Sequence, residues 1–218
     1  MTSLLHKELG HLEKQLLALT AIVEENVQLS FRALTERDVA LAEKVIASDE
    51  VVNRKEVELE EECLKILALH QPVANDLRMI VAILKINSNL ERIADQAVNI
   101  SERTVDLAKF AQVDCPLNLR DMAQKVIIML EQAIEALINA DLELAQDVLE
   151  LDDEVDTLHG HNYKLFKNYI RKAPETIDTV LSYLTVSRHL ERVADLATNI
   201  AEDVIYLNEG TIVRHTIA

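Results

Sequence analysis

Two stretches of the sequence decide the fold: LERIADQAVNI at residues 90–100 and LERVADLATNI at residues 190–200. They share eight of eleven residues at an offset of 100. In the first stretch, Leu90, Ala94 and Ala97 recur at intervals of four and three residues, which places them on one face of an α-helix. The stretches therefore predict two copies of one helix, each with a buried apolar side.

Matches upstream extend the duplication to a larger unit. Asp49-x-x-Val52-Asn53 matches Asp152-x-x-Val155-Asp156 at an offset of 103, and Pro72 matches Pro174 at an offset of 102. The small change in offset indicates short deletions in the loops between helices. Because only two copies occur, we infer a duplicated three-helix unit rather than a solenoid of many repeats.

The composition predicts an all-α protein with long helices. Only 3 Gly and 3 Pro occur in 218 residues, so there are few signals for β-turns, and 49% apolar residues suffice for a sizeable core. Breaks at the prolines, and at Asp38 and Asp141 as helix N-caps, predict six helices. We expect them at about residues 4–34, 38–70, 73–112, 117–139, 141–172 and 174–208. A seam near residues 112–117 divides the chain into two three-helix bundles, residues 1–113 and residues 114–218.

Charge and motif content exclude several classes of protein. A formal net charge of -16 is opposite in sign to that of a nucleic-acid-binding surface, and no Gly-x-x-x-x-Gly-Lys-Ser/Thr phosphate loop is present. No apolar run reaches the roughly 18 residues of a membrane span, and the N-terminal sequence has no secretion signal. Cys63 and Cys115 stand singly and far apart, which is typical of reduced thiols. We therefore expect a cytoplasmic protein that does not insert into a membrane.

A pair of acidic residues occupies the same place in each repeated stretch. Glu91 and Asp95 are four residues apart, as are Glu191 and Asp195, so each pair lies on one face of its helix. Without a counter-charge, such a pair destabilises a helix by roughly 0.2–0.5 kcal/mol. Counting about 100° per residue places the first pair beside the buried stripe rather than in it. The duplicated pairs therefore favour a bound cation or a basic partner.

The second helix of each unit carries further oxygen-bearing side chains at helical spacing. They are Asp49, Asn53 and Glu56 in the first unit, and Asp152 and Asp156 in the second. If the second and third helices of a unit pack antiparallel, these side chains face the Glu-x-x-x-Asp pair. The converging oxygens would suit Mg²⁺, Ca²⁺, Mn²⁺ or an oxygen-bridged Fe³⁺ cluster better than zinc in a Cys/His site.

Less specific interpretations stay open for these residues. The acids could be solvated faces of acidic helices that bind no ligand. His159 follows Asp156 by three residues and could reach the second site, although an exposed histidine is the simpler interpretation. His189, next to Leu190, is expected to pack or titrate rather than to bind metal.

The order and spacing of several motifs resemble those of the PhoU family. These motifs are Gln71-Pro72-x-x-x-Asp76-Leu77-Arg78, Asp49-x-x-Val52-Asn53-x-x-Glu56, the Leu-Glu-Arg-x-Ala-Asp segments beginning at Leu90 and Leu190, and Glu209-Gly210. The resemblance covers nearly the whole chain. It implies two tandem three-helix bundles related by a pseudo-two-fold axis.

The resemblance also implies metal sites. E/D-x-x-x-D motifs of the family bind metal, as multinuclear iron clusters in some members, and they map here onto Glu91/Asp95, Asp152/Asp156 and Glu191/Asp195. The expected cofactors are therefore multinuclear iron (Fe³⁺) or zinc, with magnesium, manganese and calcium as alternatives. Asn53 departs from the motif, because its repeat partner is Asp156, and this predicts a weaker first site or one with fewer ions.

A regulatory, non-enzymatic role is what the resemblance implies. PhoU-like proteins restrain phosphate uptake and the phosphate-starvation response at the cytoplasmic face of the membrane. They act between the ATPase component of a phosphate ABC transporter and a sensor histidine kinase, and we expect a homodimer that reaches the membrane through these partners. The alternatives are a metal-free helical adaptor and a ferritin-like di-iron enzyme. The latter kind uses Glu-x-x-His on each of two helices, which this sequence lacks.

Overall fold

Six α-helices make up the chain in the computed structural model, which describes residues 2–210. The helices are α1 (Thr2–Glu36), α2 (Val39–His70), α3 (Ala74–Leu107), α4 (Leu119–Asn139), α5 (Leu142–Ile170) and α6 (Ile177–Glu209). A 3₁₀ turn at Pro174–Thr176 precedes α6, and no strand occurs between residues 2 and 210. The prediction of an all-α protein is confirmed for these residues. The outer ends of the two predicted domains, Met1 and residues 211–218, lie outside the described residues.

Aspartate caps begin α2 and α5, as the sequence predicts. The carboxylate accepts a hydrogen bond from a backbone N–H of the first turn, at 3.0 Å for Asp38 and 2.9 Å for Asp141. These bonds satisfy N–H groups that have no partner within the helix. The residues before the caps, Arg37 and Ala140, both have a φ of 53°, so the two turns correspond in conformation as well as in sequence.

The third helix ends earlier than predicted, at Leu107 rather than near residue 112. The reason is a contact from the turn between α1 and α2. There the Arg37 guanidinium donates hydrogen bonds to the carbonyl oxygens of Leu107 and Phe110, the latter at 3.1 Å. These bonds satisfy carbonyl groups that the end of a helix leaves unpaired, so the chain can leave the helix there.

Each half of the chain forms a three-helix bundle. The helices α1, α2 and α3 pack against one another, as do α4, α5 and α6. The apolar stripe expected from the sequence is buried, with Leu90, Ala94 and Ala97 at most 1% exposed. Burying a leucine of this kind contributes about 1.5–3 kcal/mol. Although the helices are long, none of those between residues 2 and 210 is apolar enough over a sufficient length to cross a membrane.

The two bundles join through α3 and α6, which run antiparallel. Lys85, early in α3, pairs with Asp203, late in α6, with Nζ and Oδ1 3.2 Å apart. Gln96, further along α3, contacts His189, which comes earlier in α6, with Oε1 and Nδ1 2.9 Å apart. Contacts therefore move toward the start of α6 as the chain proceeds along α3, and the midpoint between the two contacts lies close to Ile93, which is fully buried. One hydrophobic core runs through both bundles, and the predicted division into two domains stays a prediction.

Candidate metal centres

The repeated carboxylate pairs lie beside the crossing of α3 and α6. Residues 91–100 and 191–200 share one burial pattern, in which the glutamate is half-buried and the aspartate is exposed at the edge of the buried stripe. The predicted position of the pairs, beside the core rather than in it, is therefore confirmed. A groove of about 820 Å³, which we call the acidic groove, lies at the crossing. It is lined by Arg92, Asp95, Gln96, Asp152, Arg192, Asp195, Leu196, Thr198 and Asn199.

Four carboxylates gather in the second bundle. The pKa of Asp152 is raised to about 6, first by burial and then by the charges of Asp156 and Asp195. Burial also raises the pKa of Asp195 and of Glu191, and the charge of Asp156 adds to both shifts. Positive charge nearby acts in the opposite direction, from His159 on Glu191 and from Arg192 on Asp195. Because neighbouring negative charge raises a carboxyl pKa, this cluster favours a nearby cation.

The first bundle brings together the corresponding acids. Burial raises the pKa of Glu91, and three neighbouring charges raise it further, those of Asp95, Glu56 and Asp49. The pKa of Asp95 is raised by burial and then by Asp49. The helices α2 and α3 thus place their acids within electrostatic reach of each other, as the sequence predicts.

One aspartate of each cluster has an oxygen without a hydrogen-bond partner. The Oδ1 atoms of Asp49 and Asp152 are both inaccessible to solvent and both unpaired. Thr198 lies near enough to Asp152 to lower its pKa, but its hydroxyl oxygen also has no partner at hydrogen-bond geometry. Leaving such a group unpaired costs about 1–3 kcal/mol, and more when it is charged. The same arrangement at equivalent positions of both bundles favours a ligand at these oxygens.

Asn53 makes the first cluster different from the second. Its side-chain amide donates a hydrogen bond to Oδ2 of Asp49 at 2.8 Å, so one oxygen of that acid is already engaged. Asp156, its counterpart, contributes a carboxylate instead. The weaker first site that the sequence predicts has this physical basis, and it stays a prediction.

The clusters have the chemistry of a hard-cation site, but their side chains are not closed around one point. Among residues 2–210, no group of three or more His, Cys, Asp or Glu side chains is placed to hold a metal ion. Carboxylate oxygens are nevertheless the ligands that Mg²⁺, Ca²⁺ and Mn²⁺ prefer. A bound ion would therefore require these side chains to turn toward it.

A family model described as the PhoU domain matches the chain twice, at residues 16–104 and 119–204. The chain belongs to the PhoU family. A relative from Aquifex aeolicus (strain VF5), described as a phosphate-specific transport system accessory protein PhoU homolog, is 39% identical over 211 residues. The match covers 97% of this chain and 96% of that protein.

Solved PhoU structures have the same fold. The crystal structure of PhoU from Pseudomonas aeruginosa matches with a TM-score of 0.92 at 35% identity, over 94% of this chain and 99% of that one. The structure of the phosphate transport system regulatory protein PhoU from Streptococcus pneumoniae matches with a TM-score of 0.85 at 29% identity, over 96% and 99% of the two chains. The fold that the motifs imply is therefore confirmed.

His159 lies in the second cluster, although the sequence alone favours an exposed histidine at this position. The simpler expectation of an exposed histidine is wrong, because His159 is half-buried, with Nε2 3.7 Å from Oε2 of Glu191 and Nδ1 3.0 Å from Oγ of Ser187. Its repeat partner is Glu56, which belongs to the first cluster. The equivalence of these two positions in the PhoU repeats is the signal that could have identified it.

Two arginines and a second histidine complete the surroundings of the acidic groove. Arg92 lowers the pKa of Glu91, and Arg192 lowers that of Asp195, so each arginine acts on the acids of its own PhoU repeat. His189 packs between α3 and α6 as expected, and burial followed by neighbouring arginines lowers its pKa to about 4. The groove thus contains both acidic and basic side chains at the interface between the repeats.

Proposed function

We propose that this chain is a non-enzymatic accessory and regulatory protein of phosphate transport. The observation that carries the proposal is the match of both PhoU repeats, over nearly the whole chain, to relatives of that description. The Aquifex aeolicus relative is described as an accessory protein of phosphate-specific transport, and the Streptococcus pneumoniae structure as a regulatory protein of phosphate transport.

In this proposal the chain restrains phosphate uptake and the phosphate-starvation response at the cytoplasmic face of the membrane. It acts as a homodimer between the ATPase component of a phosphate ABC transporter and a sensor histidine kinase. The net charge of -16 favours partners with a basic surface. Part of this charge lies on exposed glutamates of α2, at Glu58, Glu60 and Glu61.

Metal binding by the two carboxylate clusters is the second part of the proposal. In the first repeat the ligands come from Asp49, Glu56, Glu91 and Asp95, with Asn53 beside them. In the second repeat they come from Asp152, Asp156, Glu191 and Asp195, with His159 as a further donor. Iron or zinc is the proposed cofactor, with magnesium, manganese and calcium as alternatives. When bound, an ion supplies positive charge in the acidic groove, and the unpaired aspartate oxygens support this assignment.

The regulatory role is tested in a bacterium that lacks the gene for this chain. We expect phosphate uptake and a starvation-response reporter to be unrestrained in phosphate-rich medium, and the full chain to restore restraint. Affinity purification of the tagged full chain should recover the transporter ATPase component and the kinase. Unchanged uptake in the deletion strain, together with recovery of neither partner, would contradict the proposal.

The metal sites are tested by paired substitutions of equal charge. Glu91→Ala with Asp95→Ala is expected to lower the metal content of the loaded protein while leaving its helicity nearly intact, and the same holds for Glu191→Ala with Asp195→Ala. The matched control is Glu143→Ala with Asp147→Ala. This pair is an exposed Glu-x-x-x-Asp pair on α5, outside both clusters. Elemental analysis gives the metal content, and a cluster variant that retains as much metal as the control would show that the assignment is wrong.

A metal-free helical adaptor is the second candidate function. It is favoured by the finding that, between residues 2 and 210, no three acidic, histidine or cysteine side chains are placed for an ion. Elemental analysis after loading with iron or zinc decides between the two, because an adaptor would bind its partners without retaining metal. Oxygen consumption by the iron-loaded protein would instead favour the ferritin-like enzyme.

A further inference from the structure

A groove of about 400 Å³ lies beside the end of α1, the start of α4 and the linker between α3 and α4. We call it the linker groove, because residues between 112 and 117 form one of its walls. The charged side chains that line it are those of Arg37, Arg120 and Asp114. Two positive charges against one negative make the groove basic in a chain whose net charge is -16. A basic recess on an acidic protein favours an anionic occupant.

Arg37 is fixed in the turn between α1 and α2. Its Nη2 atom donates hydrogen bonds to the carbonyl oxygens of Leu107 and Phe110, the latter at 3.1 Å. The Nη1 atom of the same guanidinium is inaccessible to solvent and, among residues 2–210, has no hydrogen-bond partner. An unpaired buried donor is costly, and more so when it is charged. The guanidinium therefore keeps one donor for an acceptor that the described part of the chain does not supply.

Arg120 supplies the second positive charge from the first turn of α4. Leu119 and Arg120, the first two residues of this helix, both line the groove, and the Arg120 side chain is exposed. Between residues 2 and 210, neither Arg120 nor Arg37 forms an ion pair with an acid. The N-cap Asn118 makes no side-chain hydrogen bond to the first turn. The backbone N–H groups at the start of α4 thus add partial positive charge to that of the arginines.

Hydrogen bonds at both ends hold the wall that the linker forms. The Tyr183 hydroxyl donates to the carbonyl oxygen of Val113 at 3.5 Å. The backbone N–H of Asn118 donates to Oδ1 of the fully buried Asn162 at 2.8 Å. Leu117, between these two contacts, is buried. A groove with a fixed wall is largely preformed, which is typical of sites for small molecules.

The internal duplication indicates that the shared fold does not require the two arginines. At the offset of 103 between the repeats, Ala140 is the counterpart of Arg37 and Leu17 is the counterpart of Arg120. Arg37 and Ala140 have the same φ of 53°, so alanine forms the same turn. Ala140 and Leu17 line a corresponding groove of about 480 Å³, which therefore has neither guanidinium. The positive charge of the linker groove is thus an addition to the common architecture, and this favours a binding role.

Charge and size indicate which class of anion fits the linker groove. A phosphate monoester carries a charge of about -1.5 to -2, which two guanidinium groups match better than they match the single charge of a carboxylate. Pockets of about 300–1,000 Å³ hold small organic molecules, and Phe31, Leu34 and Leu117 offer apolar contact to an organic body. The net charge of the chain opposes any anion, but charges beyond about 8 Å are largely screened at physiological ionic strength.

We propose that the linker groove binds a small phosphate monoester with an apolar or ring-bearing body, such as a nucleoside monophosphate. Arg37 and Arg120 bind the phosphate group, and the apolar side chains contact the body. Cys115 lines the same groove, so a bound ester covers its thiol. The inference depends neither on the metal sites nor on phosphate transport.

Protection of Cys115 from iodoacetamide, an uncharged thiol reagent, tests the proposal. The probes are AMP and phenyl phosphate, added to the full chain with excess chelator, so that no metal ion in the acidic groove can hold the phosphate. At about ten times the dissociation constant that calorimetry gives, an ester should slow the labelling of Cys115 about tenfold. Adenosine and phenol, which have no phosphate, should protect far less. The slow labelling of buried Cys63 should not change.

Two substitutions of equal charge connect the protection to the arginines. Arg120→Gln, at an exposed position, should weaken binding of the ester about tenfold or more. Arg54→Gln, at an exposed position of α2 outside the groove, should leave the affinity unchanged.

Four results would overturn the proposal. They are no protection of Cys115 by either ester, equal slowing of Cys115 and Cys63, and an affinity that Arg120→Gln lowers no more than Arg54→Gln does. The fourth is inorganic phosphate that binds as tightly as the esters, because the ligand would then need no organic body.

Discussion

Replacing Asp152 with asparagine is expected to stabilise the metal-free protein. Burial, together with the charges of Asp156 and Asp195, raises the pKa of Asp152 from an ordinary value of 3.8 to about 6. The folded state therefore disfavours the ionised carboxylate. Asparagine has nearly the same shape and no charge, so the substitution removes the repulsion without opening a cavity.

The size and pH dependence of the effect follow from that shift. A change of about 2 pKa units corresponds to about 3 kcal/mol. Asp152 is partly exposed and water screens its charge, so we expect about 1 kcal/mol. The folded state binds the proton of the Asp152 carboxyl more tightly than the unfolded chain does. The free-energy cost of the ionised carboxylate is therefore absent below pH about 4. It grows as the pH rises to about 6, and it is complete above that value.

Urea unfolding in the presence of a chelator measures this effect. At pH about 7.5 the Asp152→Asn variant should have a free energy of unfolding about 1 kcal/mol above that of the unsubstituted chain, and at pH about 4 the two should agree. The control is Asp147→Asn, an exposed position on the same helix with the same change of charge. If Asp152→Asn is no more stable at neutral pH, or gains no more than Asp147→Asn, the reasoning about the second cluster is refuted.

Core, thiol and cap substitutions test the fold itself. Ile93→Ala should lower the free energy of unfolding in urea by about 2–5 kcal/mol. Leu181→Ala, at a 48% exposed position, should cost far less, and equal losses would contradict a buried helix crossing. A thiol reagent should label exposed Cys115 before buried Cys63. Burial raises the pKa of both thiols, to about 11 for Cys115 and about 12 for Cys63, so solvent exposure decides the order, and equal labelling rates in the folded protein would count against the burial of Cys63. Asp141→Ala should cost about 1 kcal/mol in thermal or urea unfolding and Asp141→Ser much less, unless the cap is dispensable.

The features that the sequence predicts correctly depend on local spacing. The buried stripe at Leu90, Ala94 and Ala97 follows from helical periodicity, and the caps at Asp38 and Asp141 follow from residue type at a helix start. Six helices could be placed in this way because helical periodicity and capping residues are both recognisable within a few turns of one helix. The internal duplication added the correspondence between the two carboxylate clusters.

The features that the sequence misses depend on contacts between distant residues. Arg37 ends α3 through carbonyl groups about 70 residues away, which no local pattern encodes. His159 reaches Glu191 only because α5 packs against α6. The antiparallel crossing of α3 and α6, which brings Asp95 and Asp195 to one groove, is likewise a result of packing rather than of spacing.

At this crossing the free energy gained by apolar burial exceeds the cost of repulsion between the acids, so the fold does not depend on the proposed metal binding. Each like-charged pair on α3 or α6 costs roughly 0.2–0.5 kcal/mol, whereas each large apolar side chain buried in the same helix contributes about 1.5–3 kcal/mol. Packing therefore outweighs the repulsion, and the helices can hold the clustered acids without an ion. In the proposed function, a bound metal would then change the charge of the acidic groove rather than the fold. Chelated protein should accordingly keep its helicity, unlike a domain that folds only around its metal.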